Sequence, residues 1–497
     1  MNDNSLAYWQ DKAEQLVIEG RAYINGKYQQ AASGEQFDCL SPIDGRHLAN
    51  VSACGQADAD VAVACARKAF DSGDWRRFPP AKRKLILQKF ADLVEQHGDE
   101  LALLETLDMG KPISDSINVD IQGALRCLRW TAEAIDKVYD EVAPSAENEL
   151  GMVTHEPVGV VAAIVPWNFP LVMACWKLAP ALATGNSVIL KPSEKSPLTA
   201  IKLAALATQA GIPDGVFNVL PGFGHTIGKA LALHNDVDTL VFTGSTAVAK
   251  QLFIYAGQSN MKRVWTEAGG KSPNIVFADA PDLDQAAAAA AGAICFNQGE
   301  VCTAGSRLLV ESSIKDEFVA KVIAATKQWQ PGNPLDPNTN VGAIVDQSQQ
   351  TRVLGFIEQA QQQGGSLCQG GNAIEPVANG FYIEPTVFDN ISNDMDIAQQ
   401  EIFGPVLSII SFETMEEAIE IANDSEYGLA AGVWTSNLSK GHRVAKALRA
   451  GSVWVNQWDG GDMTAPFGGY KQSGNGRDKS LHAFSKYTEV KATWIKL

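Results

Sequence analysis

Metal-ligand and disulfide signatures are missing from this chain of 497 residues. Its eight cysteines are scattered without a CxxC pair, and its seven histidines form neither HxH nor HExxH. A zinc centre and a disulfide scaffold are both unexpected, and reduced thiols are the reading. Long apolar runs are missing too: the most apolar stretch, 169–183, is broken by Lys177, Pro170 and Pro180. That excludes an ordinary membrane span. The segment Met1–Ser5 has no basic or apolar leader character, so a cytoplasmic protein is expected. Positive charge is short as well. Forty Lys and Arg against 57 Asp and Glu leave a formal charge of −17, which opposes nucleic-acid backbones and anionic lipid surfaces.

What is present is an ordinary globular composition, 45% hydrophobic and 20% charged, at a length that suggests roughly three domains. Residues up to about 55 alternate short apolar groups with turns such as Asn25-Gly26, predicting a small β-hairpin region. Helical periods follow: one helix starts at Pro79-Pro80, and another runs from Asp120 through Lys137 and carries Trp130. From Val158 the pattern becomes strand–helix alternation, with buried strands at 158–165, 187–191, 216–220, 239–243 and 262–266. The spacing predicts βαβ units and a parallel, doubly wound α/β sheet. Ligands of such sheets sit at the carboxyl ends of the strands, where Asn168, Lys191, Gly222 and Gly244 fall. A domain change is expected near Glu267, then a second alternation from Asn274 to about Val455. Residues 487–497 read as an edge strand, whose economical solution is pairing with another subunit.

Three residues beside Gly or Pro carry candidate chemistry. Cys302 lies in a Gly-flanked loop, Gly299 to Gly305, after the helix-favouring Ala-rich segment Ala286 to Ala293. Backbone freedom there lets N–H groups converge on a nucleophile, although a free cysteine is more often a small buried hydrophobe. Glu267 offers a base and Asn168 an amide donor to an oxyanion. Gly222-Phe223-Gly224 and Gly244-Ser245-Thr246 each precede a helix, where phosphate binds, yet neither matches G-x-G-x-x-G and each also suits a plain βα turn. Glu194 either bonds ribose hydroxyls, favouring NAD over NADP, or is a surface helix-start carboxylate.

Seven blocks in order resemble the NAD(P)-dependent aldehyde dehydrogenase superfamily: 165–170, 191–194, 242–246, 267–271, 299–302, 401–405 and 466–474. Residues 458–464 and 476–482 look similar to the bacterial γ-glutamyl-γ-aminobutyraldehyde and aminoaldehyde members. The resemblance implies Cys302 as nucleophile, Glu267 as base for the hydrolytic water, and Asn168 with the Cys302 amide as oxyanion hole. It implies Lys191 and Glu194 on the adenine ribose of NAD, Ser245 at the pyrophosphate, and Glu401 with Phe403 at the nicotinamide ribose. Val165, Trp167, Gly224, Gly244 and Val248 complete the implied cofactor surround. The implied division is a Rossmann-like NAD domain (1–136 and 158–266), a catalytic domain (267–470) and a β oligomerisation arm (137–157 and 471–497), in a homotetramer.

Three positions depart from the family pattern: Ala249 for a glycine beneath the pyrophosphate, Asp478 for a glutamate, and Glu300 for a glutamine. Glu300 either raises the thiol pKa by charge repulsion or lines the substrate channel. The implied tunnel, Trp130, Trp176, Trp458 and Asp120, suits an ammonium or guanidinium tail, although each tryptophan also fits a core position. An ω-aminoaldehyde, or its γ-glutamyl or guanidino derivative, is the expected substrate, with aliphatic and betaine-type aldehydes as alternatives. A coenzyme A acyl transferase variant would lack Glu267, and a cofactor-free cysteine hydrolase would need a histidine that no block contains. A non-catalytic binding protein would not need all three of Cys302, Glu267 and Asn168.

Overall fold

The computed structural model describes residues 5–497; residues 1–4, the start of the stretch read as carrying no leader, lie outside them. Two seven-stranded sheets dominate. The first runs in the order Arg263–Glu267, Thr239–Thr243, Val160–Ile164, Ser187–Lys191, Phe217–Val219, Ala22–Ile24, Lys27–Gln29. Its first five strands are parallel, and the hairpin Ala22–Gln29, turning at Asn25-Gly26, is added antiparallel at one edge. Strands 160–164 and 187–191 are buried at every position, which is why they read as unbroken apolar runs.

Chain order reverses between Val160–Ile164 and Thr239–Thr243, which lie side by side although two strands and three α-helices separate them in sequence. The loops leaving these two strands diverge there and open a crevice. One loop carries Trp167 and Asn168, and the other carries Gly244 and Ser245.

The second sheet runs Ser366–Gln369, Thr386–Asp389, Val406–Phe412, Arg307–Glu311, Pro273–Val276, Ala430–Trp434, Ser452–Val455. Only its first strand is antiparallel to its neighbour. The helix Leu283–Cys295 buries Ala286, Ala287, Ala290, Ala291 and Ala293, and packs closely on the helix Lys315–Thr326. Small side chains permit that approach, and the Asp282 side chain accepts from the Gln285 N–H to start the helix. Arg307 is buried and satisfied by carbonyls: it donates to Lys271, Ile421 and Ala422, and also to the Asn393 side chain.

The C-terminal strand Thr488–Lys496 finds its first partner inside the chain, not in another subunit. It pairs along nine positions with Glu149–Pro157, and Glu141–Ala143 completes a three-stranded sheet. The terminal strand keeps one free edge, with Val490, Trp494 and Ile495 exposed. The helix Leu6–Gln15 was not legible in the sequence; Ser5 caps it, and Trp9 anchors it in the core. No helix among the described residues is long and apolar enough to cross a membrane.

Candidate active site

A cavity of about 980 Å³ occupies the crevice between the two large sheets. Its lining includes Asn168, Glu267 and Cys302, residues separated by up to 134 positions in sequence. Asn168 comes from the loop after the first central strand, and Glu267 is the last residue of the edge strand Arg263–Glu267. Cys302 stands between the alanine-rich helix and the strand Arg307–Glu311.

The loop before the thiol is held in an uncommon shape. Asn297, Gln298 and Gly299 have φ of 47°, 56° and 72°, three successive residues in the left-handed region. Side-chain bonds hold the strain in place. Asn297 Nδ2 donates to the carbonyls of Asn168 (3.1 Å) and Glu300 (3.2 Å). Gln298 accepts from the Gly342 N–H and donates to the Ala343 carbonyl. Close packing leaves no room for a Cβ at Gly299, which would sit 2.3 Å from Gly404, or at Gly270, 2.5 Å from the Cys302 carbonyl. Asn168 Nδ2 donates to the Glu300 carbonyl at 2.8 Å, which fixes the amide and occupies one of its two N–H bonds. The second N–H remains for a ligand.

Burial pushes the Cys302 thiol well above its usual range, with Glu267, Glu401 and Asp459 adding in that direction. Glu267 is only 2% exposed and is raised to about 8, chiefly by burial and then by Asp478, against Lys177 and Lys486. One of its oxygens accepts from the Gly469 N–H at 3.1 Å, and Oε2 has no protein partner. A buried carboxyl with a free oxygen beside a thiol is the arrangement a general base requires. Behind it, Asp478 is enclosed between the ammonium groups of Lys177 and Lys486. Burial opposes its ionisation, but the two lysines outweigh that and hold its carboxyl low.

On the nucleotide side, the cavity is lined by Trp167, Gly244, Ser245, Glu401 and Phe403. Ser245 caps the helix Thr246–Gln258, accepting from the Val248 N–H, so the 13-residue helix offers its N-terminus at the cavity edge. Ala249 is buried in the apolar layer beneath this helix, which starts regularly at Thr246 despite the extra methyl. Glu401 accepts from the Gly270 N–H at 3.1 Å and is raised to about 7, mainly by burial. A Cβ on Gly269 would lie 2.1 Å from that carboxylate, so a larger residue there would displace the Glu401 side chain. Phe403 meets Trp167 edge-on at 5.1 Å. Lys191, Glu194, Gly224, Val248 and Val165 lie outside the cavity wall. Lys191 and Glu194 form an ion pair of 3.0 Å where the strand Ser187–Lys191 ends. Glu194 is the more exposed partner, and its second oxygen is free of that pair. These groups fit a dinucleotide: a carboxylate for ribose, a helix start for phosphate, and a glycine-cleared carboxylate nearer the thiol.

Four expected substrate contacts are placed differently. Asp120 is fully buried and ion-paired to Lys111 at 2.8 Å, because an unpaired carboxylate there would be too costly. Glu300 is also fully buried. It accepts from the Val345 N–H at 3.1 Å, burial raises its carboxyl well above the usual range, and it does not line the cavity. Trp130 packs on the large core, and Trp458 packs against Trp454 at 5.1 Å, both away from the cavity wall. Trp176 alone of that set lines it, meeting Phe467 at 5.2 Å. The wall also holds Arg126, Met173, Phe296, Trp454, Asp459 and Lys479, which the sequence reading missed. Helical spacing held part of the signal: Val119, Gly123 and Arg126 recur at four and three, and Met173 precedes Trp176 by three.

A doubly wound sheet whose crevice joins a nucleotide-binding edge to a thiol and a carboxyl is the architecture of a dehydrogenase acting on carbonyl compounds. The chain belongs to the aldehyde dehydrogenase family, whose model, described as "Aldehyde dehydrogenase family", matches residues 28–493. An Escherichia coli (strain K12) protein, "NADP/NAD-dependent aldehyde dehydrogenase PuuC", is 57% identical over 497 residues, covering all of both chains. A solved indole-3-acetaldehyde dehydrogenase complexed with NAD+ is 70% identical at a TM-score of 0.99, covering 99% of this chain and 100% of that one. A γ-glutamyl-γ-aminobutyraldehyde dehydrogenase from Burkholderia cenocepacia J2315 is 62% identical at a TM-score of 0.98, with the same coverage. The protein is an NAD-dependent aldehyde dehydrogenase.

Proposed function

We propose that Cys302, Glu267 and Asn168 oxidise an ω-aminoaldehyde, or its γ-glutamyl or guanidino derivative, to the carboxylic acid. The observation that carries this reading is their meeting in one cavity that continues past Glu401, Phe403 and the Ser245 helix start. Cys302 gives up its proton to water as Sγ bonds to the aldehyde carbon, and the oxygen that gains charge is met by the free Asn168 N–H and the Cys302 N–H. NAD, when bound, supplies the two-electron acceptor that takes the thiol adduct to a thioester. Glu267 then takes a proton from water as the water adds to the thioester carbon, and the thiolate leaves. Lys191 and Glu194 would hold the adenine ribose, Ser245 the pyrophosphate, and Glu401 the second ribose.

A second reading, an arylacetaldehyde substrate, draws support from the aromatic wall of Trp176, Phe296, Trp454 and Phe467. Cofactor-free hydrolysis has no support, because among the described residues no histidine lines the cavity. We read the protein as a cytoplasmic homotetramer in which residues 137–157 and 471–497 form the arm between subunits; the exposed Trp494 and Val490 beside a free strand edge support this. The test of the site is C302A, which abolishes NADH formation on every aldehyde while NAD still binds by fluorescence titration. Residual turnover above a thousandth of the parent rate excludes Cys302 as nucleophile.

A further inference from the structure

We propose that Lys111 is a positioning residue for the oxyanion site, its buried ammonium clamping the loop that carries Asn168 to the segment that braces the Cys302 loop. This rests on the aldehyde-oxidising reading above and adds to it a residue that lies outside the cavity wall.

Lys111 follows Gly110, which ends the helix Gly98–Met109 in a left-handed conformation with φ of 86°. Its side chain is completely buried. The ammonium donates to both oxygens of Asp120 at 2.8 Å and lies 4.0 Å from the centre of the Phe169 ring. Glu105 Oε1 is 3.7 Å away. Each contact leads to the cavity. Phe169 is the neighbour of Asn168 and lines the wall with Phe296, their ring centres 6.2 Å apart. Asp120 belongs to the π-helical turn Ser116–Ile121, whose Val119 lines the same wall. Wide turns of this kind recur at functional sites. Glu105 accepts from the Leu171 N–H at 3.2 Å, which holds the start of the helix Pro170–Ala183 directly after the Asn168 loop.

The backbone beside Lys111 leads to the thiol. The Gly110 carbonyl accepts from the Ala343 N–H at 2.9 Å. The Gln298 side chain in turn accepts from the Gly342 N–H and donates to the Ala343 carbonyl, and Gln298 stands in the left-handed run before Cys302. Lys111 is therefore tied by its backbone to the Cys302 side of the site and by its ammonium to the Asn168 side.

Stability alone gives no reason for a charge at this place. The pair must be stripped of water, and apolar groups of similar volume commonly serve as well. Burial, and then Asp120, raises the Glu105 carboxyl well above its usual range, so Glu105 keeps a proton and Lys111 stays paired with Asp120. What this pair supplies and a hydrocarbon does not is direction. A carboxylate fixes the ammonium, and the ammonium fixes the ring face, an attraction strongest where water is excluded.

The experiment reads the NADH burst by rapid mixing of the full-length enzyme and NAD with 4-aminobutyraldehyde and, separately, with indole-3-acetaldehyde. K111M/D120N removes the ammonium and neutralises the carboxylate it would leave unpaired. F169L takes away the ring face and keeps the ion pair, so it serves if K111M/D120N does not fold. Both should keep their NAD affinity in fluorescence titration and lower the burst rate about ten- to a hundredfold. Coupling to N168A separates positioning from a merely structural role. In either background N168A should cost less than it does in the parent, by a factor close to the loss the background itself shows, because the donor is already out of place. Losses that simply multiply overturn the proposal, as does a burst rate equal to the parent's in K111M/D120N or in F169L. A parent that gives no burst with either aldehyde overturns the aldehyde-oxidising reading itself.

Discussion

Replacing Glu267 by glutamine removes the carboxyl that lines the cavity at the end of the strand Arg263–Glu267 and acts most strongly of the charged groups on the thiol. The magnitude follows from its environment. Its carboxyl stands at about 8 against an ordinary 4.5, so at pH 7 roughly a tenth of the enzyme holds it ionised. Base-assisted hydrolysis of the thioester should therefore rise about tenfold per pH unit below 8 and level off above it. A carboxyl whose folded value is raised binds its proton more tightly when folded. Its contribution to stability is full below about 4.5 and is lost as pH rises toward 8. E267Q keeps the shape without that charge, so above pH 8 it should be more stable than the parent by a few kcal/mol. Rapid mixing separates the chemical steps: E267Q should give one burst of NADH per subunit and then turn over about 10² to 10⁴ times more slowly. Undiminished steady turnover in E267Q, or a parent profile flat from pH 6 to 8, would refute the reasoning.

Asn168→Ala removes a donor whose amide is already positioned by the Glu300 carbonyl, so the burst rate should fall about 10²- to 10³-fold with a smaller change in KM. Glu194→Gln keeps a polar group at the end of its strand but removes the charge opposed to a 2′-phosphate. The ratio of NAD to NADP efficiency should fall about tenfold or more, and an unchanged ratio would take Glu194 out of cofactor selection. Glu300→Gln should leave the ranking of aldehydes unchanged, because the carboxyl is buried on the Val345 N–H and already favours its protonated form. Thermal melts should show E300Q gaining stability relative to the parent as pH rises, since ionising Glu300 in place is unfavourable. A shifted substrate ranking in E300Q would return that residue to the specificity site.

The ordered strands were legible because each is short, apolar and bounded by Gly, Pro or Asn, and the central ones are buried on both faces. Val160–Ile164, Ser187–Lys191 and Thr239–Thr243 all fall within the expected stretches. The helix Leu6–Gln15 was not legible, because it is only ten residues long and Trp9 is the one residue in it that is buried. The C-terminal strand was recognised by its alternation, but its partner Glu149–Pro157 lies more than 300 residues away, beyond any local signal. Site residues divide in the same way. Cys302 and Asn168 stand in loops and Glu267 ends a strand, each near Gly or Pro, where the local sequence shows their freedom. Asp120, Glu300, Trp130 and Trp458 gave no local sign of which way they face.

Sequence alone determined the alternation of strands and helices from Val158 onward, the family to which they belong, and the candidate thiol, carboxyl and amide. Each of those is written in a contiguous stretch of a few residues. Tertiary structure decided which charges the cavity sees. Asp120 and Glu300 carry the right charge for a cationic substrate, but burial obliges each to find a partner in the interior, on Lys111 and on the Val345 N–H. Among the described residues, Arg126, Lys479 and Asp459 line the cavity and form no ion pair within 4.0 Å. A charge becomes available to a ligand only when the fold supplies no partner for it, and that is settled by residues far away in the chain.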